Sequence, residues 1–236
     1  MSKIGYGYGS EWHLLRYLGY HRKVLSEKVI DLVYRGEDKS IEWFDFKFSG
    51  KNERLNRDRE LEGLEFLSDN KKAMDKWETF WPKRCQHWDA VGRVDYGSHQ
   101  EWLLVEAKAH IDEGKAPCRA EEVSKDKITT ALEKTRKEFG GNQPVDNWLG
   151  QYYQYANRLA VLYFLMKECN PPVKARIVFI NFCGDKREDA ICPQNADEWN
   201  VALDRIRNSL GINAKVDLMK RVHHLLPSPH IFSNDR

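Results

Sequence analysis

Residues 87–110 read HWDAVGRVDYGSHQEWLLVEAKAH, and this stretch decides the fold. Two strand-forming runs flank Tyr96-Gly97-Ser98-His99, and Gly-Ser is an acceptable two-residue turn, so the stretch reads as a β-hairpin. With Gly97 and Ser98 at the turn, Tyr96 faces His99, and counting back along both strands sets Asp89 directly opposite Glu106. Facing β carbons in such a pair lie about 4.5–5.5 Å apart. On the second strand Leu103, Val105 and Ala107 point one way, and Trp102, Leu104, Glu106 and Lys108 the other. Both faces begin apolar. The strand is therefore central, and solvent exposure does not explain its charged end.

An acid two residues before a lysine is common in this chain: Glu37/Lys39, Asp45/Lys47, Asp69/Lys71, Glu106/Lys108 and Glu113/Lys115 all fit. Asp45 and Lys47 are the nearest rival. Their run, Ile41 to Phe48, carries Phe44, Phe46 and Phe48 on one face, which leaves the charges on the wet face. Glu106 and Lys108 have no such exit. A buried carboxylate or ammonium must be paired or bound to a metal. Either Lys108 forms a buried ion pair with one acid, or a divalent cation sits between Asp89 and Glu106, where oxygen ligands suit Mg²⁺. The residues alone leave both readings open.

Outward from the hairpin the elements follow from periodicity. Ser10 caps a first helix carrying Trp12, Leu14, Leu15, Leu18, Leu25, Val29 and Leu32, with Gly36 as its stop. The charged stretch from Asn52 to Lys76, with Leu55, Leu61, Leu64 and Leu67, reads as a second helix, and the region from Phe80 to Gln86 is ambiguous. After Pro117 come helices over about 120–139 and 147–168, the latter ended by Pro171-Pro172. Arg176 to Cys183 is an apolar run typical of a strand buried on both faces. A helix over 197–210 and a final strand within 214–226 close the chain. The fold class is mixed α/β, one sheet flanked by helices. No linker divides the chain, so residues 1–236 form one domain: a core over about 10–183, an insertion over about 37–80 and a C-terminal helix-strand extension.

Composition narrows the function. Lys and Arg number 38 against 36 Asp and Glu, a formal net charge of +2, which excludes a uniformly basic nucleic-acid coat but not a local patch. The longest apolar run, Leu159 to Met166, is far short of the about 20 residues a bilayer span needs, so no membrane association is expected. The N-terminus lacks the apolar segment of a secretory signal. Five scattered cysteines without a C-x-x-C pair argue against structural zinc and disulfides, and a reducing cytoplasm is expected.

Asp89, sixteen intervening residues, then Glu106-Ala107-Lys108 at the end of an apolar strand resembles the PD-(D/E)XK nuclease superfamily, with its restriction endonuclease-like core. That core runs helix, three-stranded antiparallel unit, helix and further strand, the order read above. Trp88 stands where a proline often precedes the aspartate. Gln151 and Tyr155, four apart in GQYYQYANRLA and so on one helical face, resemble the Q-x-x-x-Y motif of the RecB-type and lambda-exonuclease-like members. There the pair supports the catalytic centre.

The resemblance implies a Mg²⁺-dependent deoxyribonuclease, with Mn²⁺ as substitute, leaving 5′-phosphate and 3′-hydroxyl ends. Asp89, Glu106 and the Ala107 carbonyl would hold the metal, Lys108 would position the water, and Glu11 is the further acid that such members carry on the first helix. DNA is the expected partner. Arg16, Arg22, Lys23, Lys125, Lys127 and Arg158 are candidates for a basic surface, and His110, next on the Lys108 face, for a phosphate contact. His13 could reach the same cleft. No sequence-reading module is evident, so low sequence specificity is expected. No Walker loop is present either, so ATP-driven translocation would need a partner such as a helicase. The competing class is a catalytically silent PD-(D/E)XK fold that binds nucleic acid or serves in assembly. A cysteine nucleophile finds little support, although Cys85 and His87 are close in sequence.

Overall fold

A computed structural model of the protein describes residues 8–35, 38–44, 60–83 and 86–228. Helix α1 (Ser10–Tyr20) starts one residue earlier than a Ser10 cap would give: Gly9 is the cap, at φ 95, and makes no side-chain bond. The expected single first helix breaks at His21, and α2 (Arg22–Tyr34) continues from there to a left-handed Arg35. Strand β1 (Ile41–Trp43) is shorter than the run 41–48, of which residues 45–48 lie outside the described residues.

The helix expected over 52–76 is corrected. Residues 52–59, Leu55 among them, lie outside the described residues. From there on Leu61 lies in β2 (Leu61–Glu62), Leu64 and Leu67 are buried in a turn and a short 3-10 segment, and the α-helix among the described residues is α3 (Lys71–Phe80). Gly63 at φ 53 turns the chain, and its N–H donates to the Gln86 carbonyl at 2.8 Å, which a continuous helix would forbid. Asn70 then caps α3, its side chain accepting from the Ala73 N–H.

β3 (His87–Trp88) pairs with β2 as a two-stranded ribbon. β4 (Ala90–Asp95) and β5 (Gln100–Lys108) form the hairpin with the expected register, Ala90 opposite Val105 and Asp95 opposite Gln100. α4 (Glu122–Glu138) follows. The next expected helix is split into α5 (Val145–Leu149) and α6 (Tyr153–Tyr163), with a wider π-helical turn over Phe164–Glu168. The split has a cause: the Leu149 carbonyl accepts from the Cys118 N–H, and Tyr152 bridges to Ala116, so this stretch pairs with the preceding loop. β6 (Ala175–Asn181), α7 (Ala196–Leu210) and β7 (Val222–Leu225) end the fold as the sequence reading has them.

The main sheet has the order β1-β4-β5-β6-β7, antiparallel from β1 to β5 and parallel from β5 to β7. The alternation on β5 sorts the core into two layers. Leu103, Val105 and Ala107 pack with Leu14, Leu18, Leu25 and Val29 of α1 and α2. Trp102 and Leu104 face α3, α4 and α6, through residues such as Trp77, Leu132 and Leu159. Among the described residues no helix is long and apolar enough to cross a membrane.

Candidate active site

Asp89 sits where the hairpin leaves the sheet. Continuing the register would put Trp88 opposite Ala107, but Trp88 pairs with Leu61 instead. The Asp89 carboxylate takes over the vacated acceptor role, its Oδ2 accepting from the Ala107 N–H at 2.6 Å, while the Asp89 N–H donates to the Val105 carbonyl at 3.1 Å. This bend holds a half-buried acid against Glu106. Burial first, and the Glu106 carboxylate second, push the Asp89 carboxyl up to about 7.

Glu106 is buried and fully engaged. Its Oε1 accepts from Lys108 Nζ at 2.5 Å and Gln154 Nε2 at 3.0 Å, and its Oε2 from Arg158 Nε at 2.7 Å. Burial alone would raise this carboxyl, yet the Arg158 and Lys108 cations hold it below the usual carboxylate range. Arg158 also donates to the His87 carbonyl and Asn157 Oδ1, and lies over the Trp88 ring at 5.0 Å. One guanidinium thus ties α6 to the acid and to the strand before Asp89.

Glu106 and Lys108 line a cavity of about 200 Å³ at the carboxyl ends of the parallel strands β5 and β6, where open α/β sheets place ligands. Phe179 and Asn181 of β6, Tyr155 of α6, and Trp199, Leu203 and Arg205 of α7 line it as well. Asn181 Nδ2 donates to His224 Nδ1 at 3.3 Å, leaving His224 Nε2–H for Tyr155 Oη at 3.4 Å. Burial and the Arg207 charge push His224 down to about 3, so it stays neutral.

The expected site residues fall into three groups. Asp89, Glu106, Ala107 and Lys108 come together, and His110 and Tyr155 share the cavity with Lys108. Tyr155 is buried and stacked on Phe179 at 4.6 Å, so it is as much core as cleft. Gln151 lies in the turn before α6, exposed at the cavity edge, not on one helical face with Tyr155. Arg158, expected at a DNA surface, is buried against Glu106 and therefore presents no charge outward. Glu11 and Arg16 lie on α1, which covers the opposite face of the sheet; no hydrogen bond or ion pair joins Glu11 to the triad among the described residues. His13 pairs with Asp185 at 2.8 Å instead of reaching the cleft. Lys127 donates to the Glu78 carbonyl. Cys85 lies outside the described residues.

Sequence reasoning missed Gln154. The signal was present: Gln154 and Arg158 are four apart, the spacing that puts two polar side chains on one face of an otherwise apolar helix.

The carboxylates of Asp89 and Glu106 and the Ala107 carbonyl are hard oxygen donors of the kind Mg²⁺ takes. The raised Asp89 carboxyl is the observation that fits a cation here, because a bound cation would offset both the burial and the Glu106 repulsion that raise it. A metal on Glu106 Oε1 would displace Lys108 or Gln154. Among the described residues no three His, Cys, Asp or Glu side chains form a metal cluster, so a metal here would be held by these two acids and the Ala107 carbonyl, without Glu11. Comparisons with protein-family models, curated proteins and solved structures found no match to this chain.

Proposed function

We propose that the protein is a divalent-metal-dependent deoxyribonuclease of the PD-(D/E)XK type, hydrolysing phosphodiester bonds with low sequence specificity. The observation that carries the reading is the meeting of Asp89, Glu106 and Lys108 at one strand end beside a cavity, with the Asp89 carboxyl pushed up to about 7. The architecture supports a restriction endonuclease-like core: helices α1 and α2, antiparallel β1, β4 and β5, helices α4 to α6, then parallel β6.

Mg²⁺ or Mn²⁺ bound by Asp89, Glu106 and the Ala107 carbonyl would lower the pKa of a bound water and offset charge developing on the phosphate. Lys108, whose ammonium sits on Glu106 Oε1 at the cavity, would orient the attacking water and offset charge on the non-bridging oxygens. Arg158 holds the Glu106 carboxylate through Oε2, the oxygen that a metal on Oε1 leaves free, and Gln154 supports Oε1. Lys115 and Arg205 line the same cavity and attract the backbone phosphates.

The full engagement of Glu106 favours a second reading, a silent scaffold whose Lys108 and Arg158 serve only as buried ion-pair partners. One experiment separates the two. Linear duplex, single-stranded and covalently closed circular DNA are incubated with the protein and Mg²⁺ or Mn²⁺, with and without EDTA. The nuclease reading expects EDTA-sensitive cleavage of at least one, and an intact circle marks end dependence. DNA binding without cleavage of any of the three supports the scaffold and sinks the enzyme.

A further inference from the structure

The chain stays extended past the end of β5, with His110 at φ −143 and ψ 158. Alternation therefore continues: Ala109 is buried with the α1 layer, and His110 falls on the face of Glu106 and Lys108. His110 is 8% exposed and borders the same cavity. Its Nε2 lies 3.1 Å from Glu113 Oε1. Glu113 is itself fixed, since its Oε2 accepts from the Ala109 N–H at 2.7 Å. Arg187 Nη1 also donates toward Nε2, at 3.2 Å, while Nε and Nη2 of the same guanidinium hold Asp189 at 2.5 and 3.0 Å. Asp112 and Asp189 add negative charge near the ring, and Lys108 and Lys115 share the cavity. Nδ1 is buried without a hydrogen-bond partner. Buried polar atoms are nearly always paired, so an unpaired ring nitrogen beside a cavity calls for a ligand.

We propose that His110 is the general acid of the cleavage, delivering a proton to the leaving 3′-oxygen of the phosphodiester, with Glu113 as the positioning residue that holds the ring; this rests on the nuclease reading. In the imidazolium both ring nitrogens carry protons: Nε2–H bonds to Glu113 in place of the Arg187 donor, and Nδ1–H is kept for transfer. Water oxygen bonds to phosphorus, the P–O3′ bond breaks with its electron pair passing to O3′, and the Nδ1 proton moves to O3′. The proton released by the water goes to solvent, and the imidazole regains its own proton from solvent. The leaving group thus departs as a hydroxyl and not as an alkoxide.

The test uses an end-labelled oligonucleotide with one 3′-bridging sulfur, whose thiolate leaves without protonation, beside its all-oxygen counterpart, with Mg²⁺ and Mn²⁺. His110→Ala should slow scission of the oxygen linkage by about 10²-fold or more and leave the sulfur linkage at the wild-type rate. Glu113→Gln should show the same selective loss, smaller in size. His110→Gln, which keeps a polar side chain, and circular dichroism melts of every variant guard against misfolding. Equal slowing on both linkages, or no slowing on oxygen, overturns the role of His110 while the nuclease reading stands. Wild-type protein that cleaves neither linkage overturns that reading and this role together.

Discussion

Strand β5 carries two buried glutamates five residues apart, hence on opposite faces, and they differ in what surrounds them. Glu101 accepts from Arg176 Nε at 2.9 Å, Arg221 Nη1 at 2.7 Å and Tyr34 Oη at 3.0 Å. Glu106 likewise has two cations and a neutral donor. Both carboxyls, despite burial, are held below the usual range by their cations. Glu101 ends there, a saturated cluster joining α2, β5, β6 and the segment before β7. Glu106 faces a second acid and opens on a cavity. Ion pairing therefore does not separate a structural acid from a chemical one. A second, raised acid beside the first and an approach for a ligand do.

The largest expected contrast lies in the cations. Lys108→Ala should lower single-turnover cleavage per folded molecule by about 10²–10³, the loss of one preplaced transition-state donor. Arg176→Ala, its counterpart on the other face, should leave cleavage per folded molecule unchanged. Should Lys108→Ala cut as fast as wild type, the catalytic centre lies elsewhere in the chain.

Next comes the structural acid. Glu101→Gln leaves two arginines facing a neutral amide and should reduce stability by about 3 kcal/mol in urea unfolding. Metal dependence should not move. A shift in the metal requirement would show that the two faces are coupled, contrary to the division drawn here.

Asp89 provides the third contrast, in pH. Its carboxyl, raised from 3.8 to about 7, binds its proton more tightly in the folded chain than in the unfolded one. The stabilising contribution is therefore complete below about pH 4 and is lost as pH rises through 7. Asp89→Asn should stabilise the metal-free protein at pH 8 by about 2 kcal/mol, because solvent at a half-buried carboxyl screens part of so large a shift. It should also flatten the pH dependence between those limits. Mg²⁺ at pH 8 should raise the melting temperature of wild type and not of the variant. Equal metal stabilisation of both proteins would remove Asp89 from the donor set.

What was legible in the sequence depended on how local the cause was. The hairpin register followed from a two-residue turn and strict alternation, so Asp89 opposite Glu106 could be counted out. The run Leu61, Leu64, Leu67 misled, because its spacing suits a helix while the deciding partner, Gln86, lies more than twenty residues away. Its charge and its place near the Gln151/Tyr155 face put Arg158 at a DNA surface in the sequence reading. Its burial follows from Glu106, a partner 52 residues earlier that no local pattern reveals. Glu11 was placed by resemblance, and the layer in which α1 packs is a tertiary fact.

The smallest contrast concerns two glutamines three residues apart. Gln154 donates to Glu106 Oε1 from the second residue of α6, whereas Gln151 sits in the preceding turn, exposed at the cavity edge. Gln154→Ala should remove one hydrogen bond to a charged group, about 1–2 kcal/mol. Lys108 would remain to hold Oε1, so cleavage should fall several-fold and not vanish. Gln151→Ala has no such bond to lose, and its stability should match wild type. If the order is reversed, with Gln151→Ala the more damaging to cleavage, then the Q-x-x-x-Y pairing of Gln151 with Tyr155 governs the site in the reacting state. In that case the turn before α6 rearranges when substrate binds, carrying Gln151 toward Lys108 across the cavity they already share.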